Sequence, residues 1–421
     1  MKQSGVPWIG EIPKTWEIRK VKDLFVRKNE KAHQDNPVIL SLARAGVKVR
    51  DVSTNEGQMA ESYYDYNPVE PFDLLVNPMD LYSGANCSMS LVSGVISPAY
   101  VNLRAKDGAC SRFYDYYFKT QYWSMAFFAH GKGISFDNRW TLGVDTLFRY
   151  NVPFPSVLEQ QKIALFLDRK CAEIDEMIAL QERIVDELKA YKQSVITEAV
   201  TKGLNTDVPM KESGIEWIGD IPEHWSIDKI IRSFGLIGSG TTPKSTDEDN
   251  FIGNIRWIQS GDINGGVMTE CKNRISEKTL HTTSALKIYN PPFIIIAMYG
   301  ASVGNTSISM IDGCVNQACC VLSESHLNLE YSFNVIKSCK DFWIRKAVGG
   351  GQPNISQDTI KSTWIPIPPK EEQKQIASYL NTKCTEIDNL ISIKLSKIDS
   401  LKEYKKSIIY EYVTGKKEVI E

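Results

Sequence analysis

The chain carries one long stretch twice, and this repeat limits its fold more than any other feature. The first copy spans residues 153–203, and the second begins 213 residues later. Identical residues at matched positions include Pro153/Pro366, Glu159/Glu372, Gln160/Gln373, Cys171/Cys384, Asp175/Asp388 and Tyr191/Tyr404. A shorter motif, Ser4–Pro13, returns at Ser213–Pro222 with an offset of 209. A period of about 210 residues is too long for a solenoid. It predicts a tandem duplication of two domains, each followed by a long helix.

Composition places the chain among globular proteins of two or three domains. It has 421 residues, of which 42% are hydrophobic and 24% charged. The N-terminus shows no apolar signal-peptide core, and no apolar run approaches the ~18 residues of a membrane helix. The nine cysteines form no C-x-x-C pair. We therefore expect a cytoplasmic protein with reduced thiols, no membrane association and no metal site.

The charge balance neither requires nor excludes a nucleic-acid partner. The net charge is −2, whereas a nucleic-acid-binding domain is usually basic. The two variable regions are each neutral, with 13 basic and 13 acidic residues in 26–150 and 11 of each in 236–364. A neutral total is compatible with a basic face but does not predict one.

The two variable regions are predicted to share one mixed fold. Short apolar runs such as Val38–Leu42, Leu74–Val76 and Phe293–Met298 lie between Gly, Pro and Asn clusters, as is typical of strands and turns. The aromatic-rich segment Tyr114–Phe128 is a candidate helix packed on the sheet. Residues 313–322 align with residues 94–103, which indicates a common architecture.

Each repeated stretch shows the apolar spacing of a long helix that packs on another helix. The predicted helix-pairing residues are Ile174, Ile178, Val185, Leu188, Tyr191 and Val195, with their equivalents Ile387, Ile391, Ile398, Leu401, Tyr404 and Ile408. The charges, −2 for 157–203 and +3 for 370–417, are weakly complementary. Antiparallel packing would relate the two halves by a pseudo-two-fold axis.

These observations predict an α+β protein with two similar α/β domains separated by two long helices that pack as an antiparallel coiled coil. The predicted boundaries are 1–151 for the N-terminal anchor and first domain, 152–203 for the first helix, 204–212 for a linker, 213–364 for the second anchor and domain, and 365–421 for the second helix.

Loops of both variable regions supply candidate ligand-binding side chains. Arg can bond guanine or a phosphate, and Asn and Gln can bond adenine. The candidates are Arg44, Lys48, Arg50, Tyr82, Ser83, Asn86, Lys132, Arg139, Ser260, Asp262, Tyr299, Asn305, Gln352 and Asn354. The alternatives are ordinary surface charge for the cations, and a turn with a helix cap at Asn354 or Ser356 for the Gly-rich segment.

One catalytic signal is present. Asn290-Pro291-Pro292-Phe293 matches the N-P-P-[F/Y/W] motif of amino-group DNA methyltransferases, whose aromatic residue stacks on a flipped base. Here the motif precedes an apolar strand instead of ending one, and no F-x-G-x-G cofactor loop exists. A turn before a strand is the favoured interpretation.

Several motifs together resemble the specificity subunit of type I restriction–modification systems. They are the repeated W-I-G-[ED]-I-P-x-x-W anchor, the P-x-P-x-x-x-E-Q-[QK] entry to each helix, and S-G-D-I, A-M-Y-G-A, N-Q-A-C-C and G-G-G-Q-P-N-I-S. In the first half, N-P-M-D-L-Y-S-G-A and G-V-I-S-P-A-Y resemble another target-recognition class of that family. The resemblance covers essentially the whole chain.

The resemblance implies a DNA-binding, non-catalytic subunit. Each target-recognition domain would read one half of a split double-stranded DNA site, with the helices setting the spacing. Two modification subunits would dock on the helices, carry S-adenosylmethionine and methylate adenine, and restriction subunits would join the complex. The chain itself would hold no cofactor. Two alternatives remain: a self-sufficient adenine-N6 methyltransferase using Asn290–Phe293, and a structural coiled-coil adaptor.

Overall fold

The computed structural model describes residues 1–43, 46–52, 60–82, 86–135, 140–347 and 353–419, which form two compact units. The first unit contains residues 1–182 and the chain from 395 onwards, and the second contains residues 183–394. Both boundaries fall inside the long helices, so each unit holds one half of each helix. The predicted boundaries at 151/152 and 364/365 do not coincide with those of the compact units.

The first unit is built on a four-stranded sheet of order β4-β11-β8-β9. Its elements are β1 (Lys2–Gln3), β2 (Glu11–Ile12), β3 (Glu17–Lys20), α1 (Val21–Leu24), β4 (Phe25–Lys28), β5 (Leu40–Ala43), β6 (Gly46–Val49), β7 (Asn67–Val69), β8 (Leu74–Val76), β9 (Cys87–Met89), β10 (Gly94–Ile96), β11 (Val101–Ala105), α2 (Ser111–Trp123), α3 (Ala126–Ala129), α4 (Val144–Arg149), β12 (Asn151–Phe154) and the first part of α5 (Val157–Lys202). Smaller antiparallel pairs are β1–β2, β3–β12, β5–β6 and β7–β10.

The second unit is built on a five-stranded sheet of order β16-β23-β20-β21-β18 and a three-stranded sheet of order β19-β17-β22. Its elements are β13 (Met210–Glu212), β14 (Asp220–Pro222), β15 (Ser226–Lys229), α6 (Ile230–Ser233), β16 (Phe234–Gly238), β17 (Ile255–Ile258), β18 (Val267–Met268), β19 (Asn273–Ile275), α7 (Glu277–Thr282), β20 (Phe293–Ala297), β21 (Thr306–Ser309), β22 (Cys314–Val315), β23 (Cys319–Ser325), α8 (Leu329–Ser338), α9 (Lys340–Lys346), α10 (Gln357–Ser362), β24 (Trp364–Ile367) and the first part of α11 (Lys370–Val413). Short 3-10 turns lie at Glu248–Phe251, Ser260–Asp262 and Gly300–Ser302.

The central sheets of the two units correspond strand by strand. The order β4-β11-β8-β9 of the first unit matches the order β16-β23-β20-β21 of the second. Strand β20 is buried along its whole length, as its apolar sequence predicts. The aromatic segment after β11 forms α2, whose buried rings cover the sheet. The prediction of one mixed fold for both variable regions agrees with this correspondence.

Proline and glycine mark where the long helices begin and end. Pro153 and Pro155 precede α5, and Pro368 and Pro369 precede α11. Gly203 and Gly415 follow the helices with φ of +77° and +70°, the left-handed conformation that ends many helices. The predicted helix starts are therefore too early. Residues 151–154 form β12, and residues 364–367 form β24.

The predicted linker 204–212 also contains a strand. Its last residues, Met210–Glu212, form β13 and pair with β14 of the second anchor. The strands β1 and β2 of the first anchor pair in the same way.

Inside each unit the two helix segments make one ion pair, and the two pairs are equivalent under the repeat. In the first unit, Lys405 Nζ lies 2.6 Å from an Asp175 carboxylate oxygen. In the second unit, Lys192 Nζ lies 2.6 Å from Asp388. Asp175 matches Asp388 and Lys192 matches Lys405, each with an offset of 213. The two units therefore contain the same interhelical ion pair.

The helix segments of the first unit run antiparallel. Phe166 packs against Tyr412 with ring centroids 4.5 Å apart, and further along α5 Asp175 pairs with Lys405. Residue numbers therefore rise on one helix while they fall on the other.

Most of the predicted helix-pairing residues are buried or half-buried, but the two tyrosines are not. Ile174, Val185, Ile387, Ile398, Leu401 and Ile408 are buried, and Ile178, Leu188, Val195 and Ile391 are half-buried. Tyr191 and Tyr404 are 58% and 54% exposed. Both lie on the solvent side of their helices, whereas Ile196 and Ile409, five residues further along, are 1% and 2% exposed.

The repeated Glu-Gln dipeptide ties each helix start to its domain. The indole N–H of Trp16 donates to Glu159 at 2.8 Å, and that of Trp225 donates to Glu372 at 2.9 Å. The buried amides of Gln160 and Gln373 accept from the backbone N–H of Cys110 and Asn328, both at 2.8 Å. The repeated motif is thus a set of hydrogen bonds that orients each domain on its helix.

The C-terminal end of each helix packs on the anchor of its own unit. Gly203 faces Trp225, and Gly415 faces Trp16 and Pro13 at equivalent positions of the first anchor. Lys416 also donates to the Glu11 carbonyl oxygen. Anchor, domain and helices therefore share one core in each unit.

Candidate nucleic-acid interface

Three loops meet at one end of the sheet in the first unit. The Asn86 side chain donates to the Ala43 carbonyl at 2.9 Å, which joins the β8–β9 loop to the β5–β6 hairpin. The Leu81 N–H donates to the Trp140 carbonyl at 3.1 Å, which joins the same loop to residues 131–142. The three predicted candidate loops of this unit are therefore brought together.

The candidate side chains of this end differ in exposure. Lys48, Tyr82 and Lys132 are exposed, and the Tyr82 ring lies 6.2 Å from that of Phe128. Arg50 is half-buried. Arg44, Ser83 and Arg139 lie outside the described residues. An exposed tyrosine and two exposed lysines on neighbouring loops can contact a phosphate backbone and the edge of a base.

Five segments converge at the corresponding end of the second unit. Met298 N–H donates to the Ala318 carbonyl at 2.8 Å, and Ile355 N–H donates to the Met298 carbonyl at 2.9 Å. Asn316 N–H donates to the Ile258 carbonyl at 3.0 Å, and the Ser239 hydroxyl donates to the Cys319 carbonyl at 2.7 Å. The motifs S-G-D-I, A-M-Y-G-A, N-Q-A-C-C and P-N-I-S are thus adjacent in space although they are distant in sequence.

Two candidates at this end have structural roles. Asp262 accepts the backbone N–H of Gln259 at 2.9 Å and that of Lys272 at 3.4 Å, so both of its oxygens hold a turn. Asn305 accepts from Lys340 Nζ at 2.8 Å. Ser260 is half-buried inside the same 3-10 turn as Asp262.

Two other candidates remain available to a ligand. Tyr299 is 44% exposed and forms a backbone bridge with the exposed Asn354. The helix cap belongs to Ser356, whose hydroxyl accepts from Thr359 N–H at 3.0 Å, so Asn354 is free of that role. Gln352 lies outside the described residues.

The structure adds two side chains that were not among the candidates. Thr242 and Gln317 are exposed at this end, and the Thr242 hydroxyl donates to Gln317 Oε1 at 2.5 Å. They lie 75 residues apart in the chain. In the sequence, these two residues are marked only by the S-G-T-T-P-K and N-Q-A-C-C motifs in which they occur.

Buried titratable groups next to this end do not titrate near neutral pH. Burial raises the pKa of the Cys319 thiol, and it raises that of Cys320 to about 12. Both thiols are therefore protonated core groups, as their apolar surroundings predict. Among the described residues, no group of three His, Cys, Asp or Glu side chains could hold a metal ion.

Comparisons with known proteins agree with this architecture. The family model of the Type I restriction modification DNA specificity domain matches residues 222–403. The putative type I restriction enzyme MjaX specificity subunit of Methanocaldococcus jannaschii is 23% identical over 97% of this chain and 95% of its own length. The EcoBI specificity subunit of Escherichia coli is 23% identical over 84% of this chain and 77% of its own length.

The chain is thus similar over almost its whole length to type I restriction enzyme specificity subunits.

Solved structures share the fold of this chain. A chain from a structure of the assembly and conformational transition of a type I system aligns with a TM-score of 0.70 at 16% identity, covering 96% of this chain and 98% of that one. The HsdS subunit of Thermoanaerobacter tengcongensis aligns with a TM-score of 0.54 at 15% identity, covering 99% and 100%. The curated relatives are named as specificity subunits of type I restriction enzymes.

The methyltransferase-like motif does not have the geometry of a catalytic site. Phe293 is fully buried at the start of β20, so its ring cannot stack on a flipped base. Asn290 is exposed in the turn before that strand. This turn lies at the end of β20 opposite to the segments that converge after Ala297. The self-sufficient methyltransferase is therefore not favoured for this chain.

No helix in the described part of the chain is long and apolar enough to span a membrane.

Proposed function

We propose that the protein selects a split double-stranded DNA site, with each recognition domain reading one half. The observation that supports this most directly is the convergence of polar and aromatic loop residues at equivalent ends of two similar sheets. In the first unit these are Lys48, Tyr82 and Lys132, and in the second Thr242, Tyr299, Gln317 and Asn354. Because the side chains differ, the two domains read different bases.

Because each variable region carries no net charge, partner subunits supply part of the electrostatic attraction to DNA in this proposal. Phosphate contacts by Lys and Arg supply most of the non-specific affinity of DNA-binding proteins. With as many acidic as basic residues in each variable region, the specificity subunit relies on partner subunits for much of that attraction.

Exposed apolar side chains on the helices support docking of two modification subunits. In the first unit Met177 and Leu180 are 44% and 46% exposed, and in the second their equivalents Leu390 and Ile393 are 46% and 61% exposed. Asp175 pairs with Lys405, and Lys192 pairs with Asp388. The exposed Tyr404 and Tyr191 therefore lie at the same heights along the helix pairs as these apolar side chains. Exposed apolar patches on a polar helix surface mark interaction sites. Their duplication under the repeat fits two identical partners, which bring S-adenosylmethionine, methylate adenine and recruit the restriction subunits.

The helices also set the distance between the two half-sites. In this proposal they form an antiparallel coiled coil between the recognition domains. Inserting one heptad after Arg183 and one after its equivalent Ser396 keeps the apolar stripe in phase. Each helix grows by about 10 Å, at 1.5 Å per residue. The spacer should lengthen by about three base pairs, at ~3.4 Å per pair.

The test uses the chain co-expressed with its modification subunit in cells that lack other adenine methylation. Genome-wide mapping of N6-methyladenine should give one bipartite motif, and the heptad insertions should change only its spacer. The isolated chain with radiolabelled S-adenosylmethionine should transfer no methyl group. Methylation by the isolated chain, or methylation by the complex without a bipartite motif, would contradict the proposal.

A further inference from the structure

We call the end of each central sheet at which the candidate loops converge its reading end. One turn at the reading end of the second unit has its backbone fixed by hydrogen bonds and leaves one side chain exposed. It consists of residues 316–318, between β22 and β23. The Asn316 side chain accepts from Ala318 N–H at 3.2 Å, and its carbonyl accepts from Cys319 N–H at 3.2 Å. Asn316 N–H is tied to the Ile258 carbonyl. Between these fixed points the Gln317 side chain is exposed.

The first unit builds the same turn without a glutamine. Ser97 accepts from Ala99 N–H through its hydroxyl at 3.4 Å and from Tyr100 N–H through its carbonyl at 3.1 Å. The residue at the position of Gln317 is Pro98, which is also exposed. The turn therefore forms with either residue, so its geometry does not explain Gln317.

A neighbouring loop orients the Gln317 amide. The Thr242 hydroxyl donates to Gln317 Oε1 at 2.5 Å. The loop that carries Thr242 is held by the Trp257 indole N–H, which donates to the Thr241 carbonyl at 3.3 Å. It packs so closely at Gly240 that a Cβ there would overlap the Val315 carbonyl oxygen. An amide that is oriented in advance binds with a smaller entropy cost than a mobile one.

We infer that Gln317 reads one adenine in the half-site of the second domain, through the major groove. This inference rests on the proposed DNA recognition. The amide oxygen has two lone pairs and uses one for Thr242. The other accepts from the adenine N6 amino group while Nε2 donates to N7, which is the bidentate pairing of glutamine with adenine. Guanine places the O6 acceptor opposite the amide oxygen, so this orientation rejects it.

The experiment measures methylation by the complex of this chain with its modification subunit on DNA duplexes whose second half-site is randomised. Gln317→Ala should lower the preference for one A·T pair by about 10- to 100-fold, the value of a bidentate base contact. All other positions, and the first half-site, should keep their preferences. Gln317→Glu should move the preference at that position towards cytosine, because a carboxylate accepts a hydrogen bond from the N4 amino group of cytosine.

Two further variants separate orientation from contact. Thr242→Val removes the hydroxyl that orients the amide, and should weaken the preference at the same position by less than Gln317→Ala does. Gln375→Ala removes an exposed glutamine on α11 and should leave every base preference unchanged. If Gln317→Ala does not assemble with its partner, Gln317→Glu and Thr242→Val carry the test.

The outcomes distinguish this inference from the proposed function. If the wild-type complex shows no sequence preference, the proposed function itself fails. If the wild type reads a bipartite site and Gln317→Ala keeps every preference, Gln317 reads no base. A uniform loss across all sequences with a smaller salt dependence would make Gln317 a phosphate contact and also overturn the inference.

Discussion

The two units share their framework residue by residue and differ at their reading ends. In the framework, Trp16–Glu159 corresponds to Trp225–Glu372, and Asp175–Lys405 corresponds to Asp388–Lys192. The buried hydroxyls of Tyr114 and Tyr331 both donate at 3.0 Å, to the carbonyls of Pro153 and Pro366. At the reading ends, Pro98 stands where the second unit has Gln317.

This contrast follows from what each part contacts. A framework residue contacts another residue of the chain, so a change at one position must suit its partner. A reading-end residue faces a ligand, and the turn beneath it is held by backbone bonds and by Ser97 or Asn316. The duplication could therefore keep one framework while the two ends came to carry different side chains.

The largest expected effect is an exchange of one reading end. Replacing residues 26–150 with the equivalent region of a relative keeps β3 and β12, which frame that region. The first half of the methylated motif should change completely, and the second half should remain. Methylome sequencing measures this, with the reverse exchange of residues 236–364 as the control. A change in both halves would show that the reading ends are not independent.

Loss of the buried glutamines should be the most destabilising change in the framework. Gln160 also donates to the carbonyls of Gly108 and Pro155, whereas within the described residues the Gln373 amide nitrogen donates only to that of Pro368. Each buried polar group left without a partner costs roughly 1–3 kcal/mol. Gln160→Ala should therefore lower the free energy of unfolding by roughly 1 kcal/mol more than Gln373→Ala does.

Hydrogen exchange of α2 and α8 amides under denaturant reports the two units separately. Gln161→Ala is the matched control, since Gln161 is the exposed neighbour of Gln160. Equal losses for Gln160→Ala and Gln373→Ala would show that the additional bond of Gln160 contributes nothing.

Removing the anchor indole should have an intermediate effect that distinguishes the units. Trp16→Phe loses a hydrogen bond to a carboxylate, which contributes about 1.5–3 kcal/mol. Trp225→Phe should cost less, because Glu372 keeps its contact to His224 Nε2 at 2.7 Å. The first anchor has Thr15 at the position of His224. Denaturant unfolding measures both variants, and His224→Ala added to Trp225→Phe should remove the difference.

The smallest expected effect is on the interhelical ion pairs, and it should be equal in the two units. Asp175→Asn and Asp388→Asn each remove a pair whose carboxylate is more than half exposed. Each should cost no more than about 1 kcal/mol. The cost should shrink in 1 M salt, where the Debye length is about 3 Å. Asp186→Asn, which breaks a pair within α5, is the control. Unequal costs would show that the two pairs are not equivalent.

Several features were predictable because they repeat or follow a period. The two long helices, the buried strand at Phe293 and the aromatic helix after β11 all appear close to their predicted places. Spacing alone placed Tyr191 and Tyr404 in the stripe, although both face solvent. Periodicity identifies an apolar side of a helix, but the partner decides where the buried face begins.

Other sequence predictions are wrong where hydrogen bonds to the backbone of a neighbouring segment decide the structure. Residues 151–154 and 210–212 are strands because β3 and β14 lie beside them, and Pro153 is compatible with a strand in a two-stranded pair. The sequence makes Asp262 a base-reading candidate, but in the structure its two oxygens accept hydrogen bonds from two backbone N–H groups. A polar loop residue does not reveal from sequence whether the fold or a ligand will satisfy it.

The sequence by itself determined the duplication, the mixed fold of both domains and the resemblance to type I specificity subunits, because each of these follows from repeated patterns of residues. Only the tertiary structure decided that each compact unit takes one half of each helix, and that Thr242 orients Gln317 across 75 residues of chain. The physical reason is that a hydrogen bond or ion pair needs its two groups within about 3 Å. No sequence period encodes that proximity for residues on different strands.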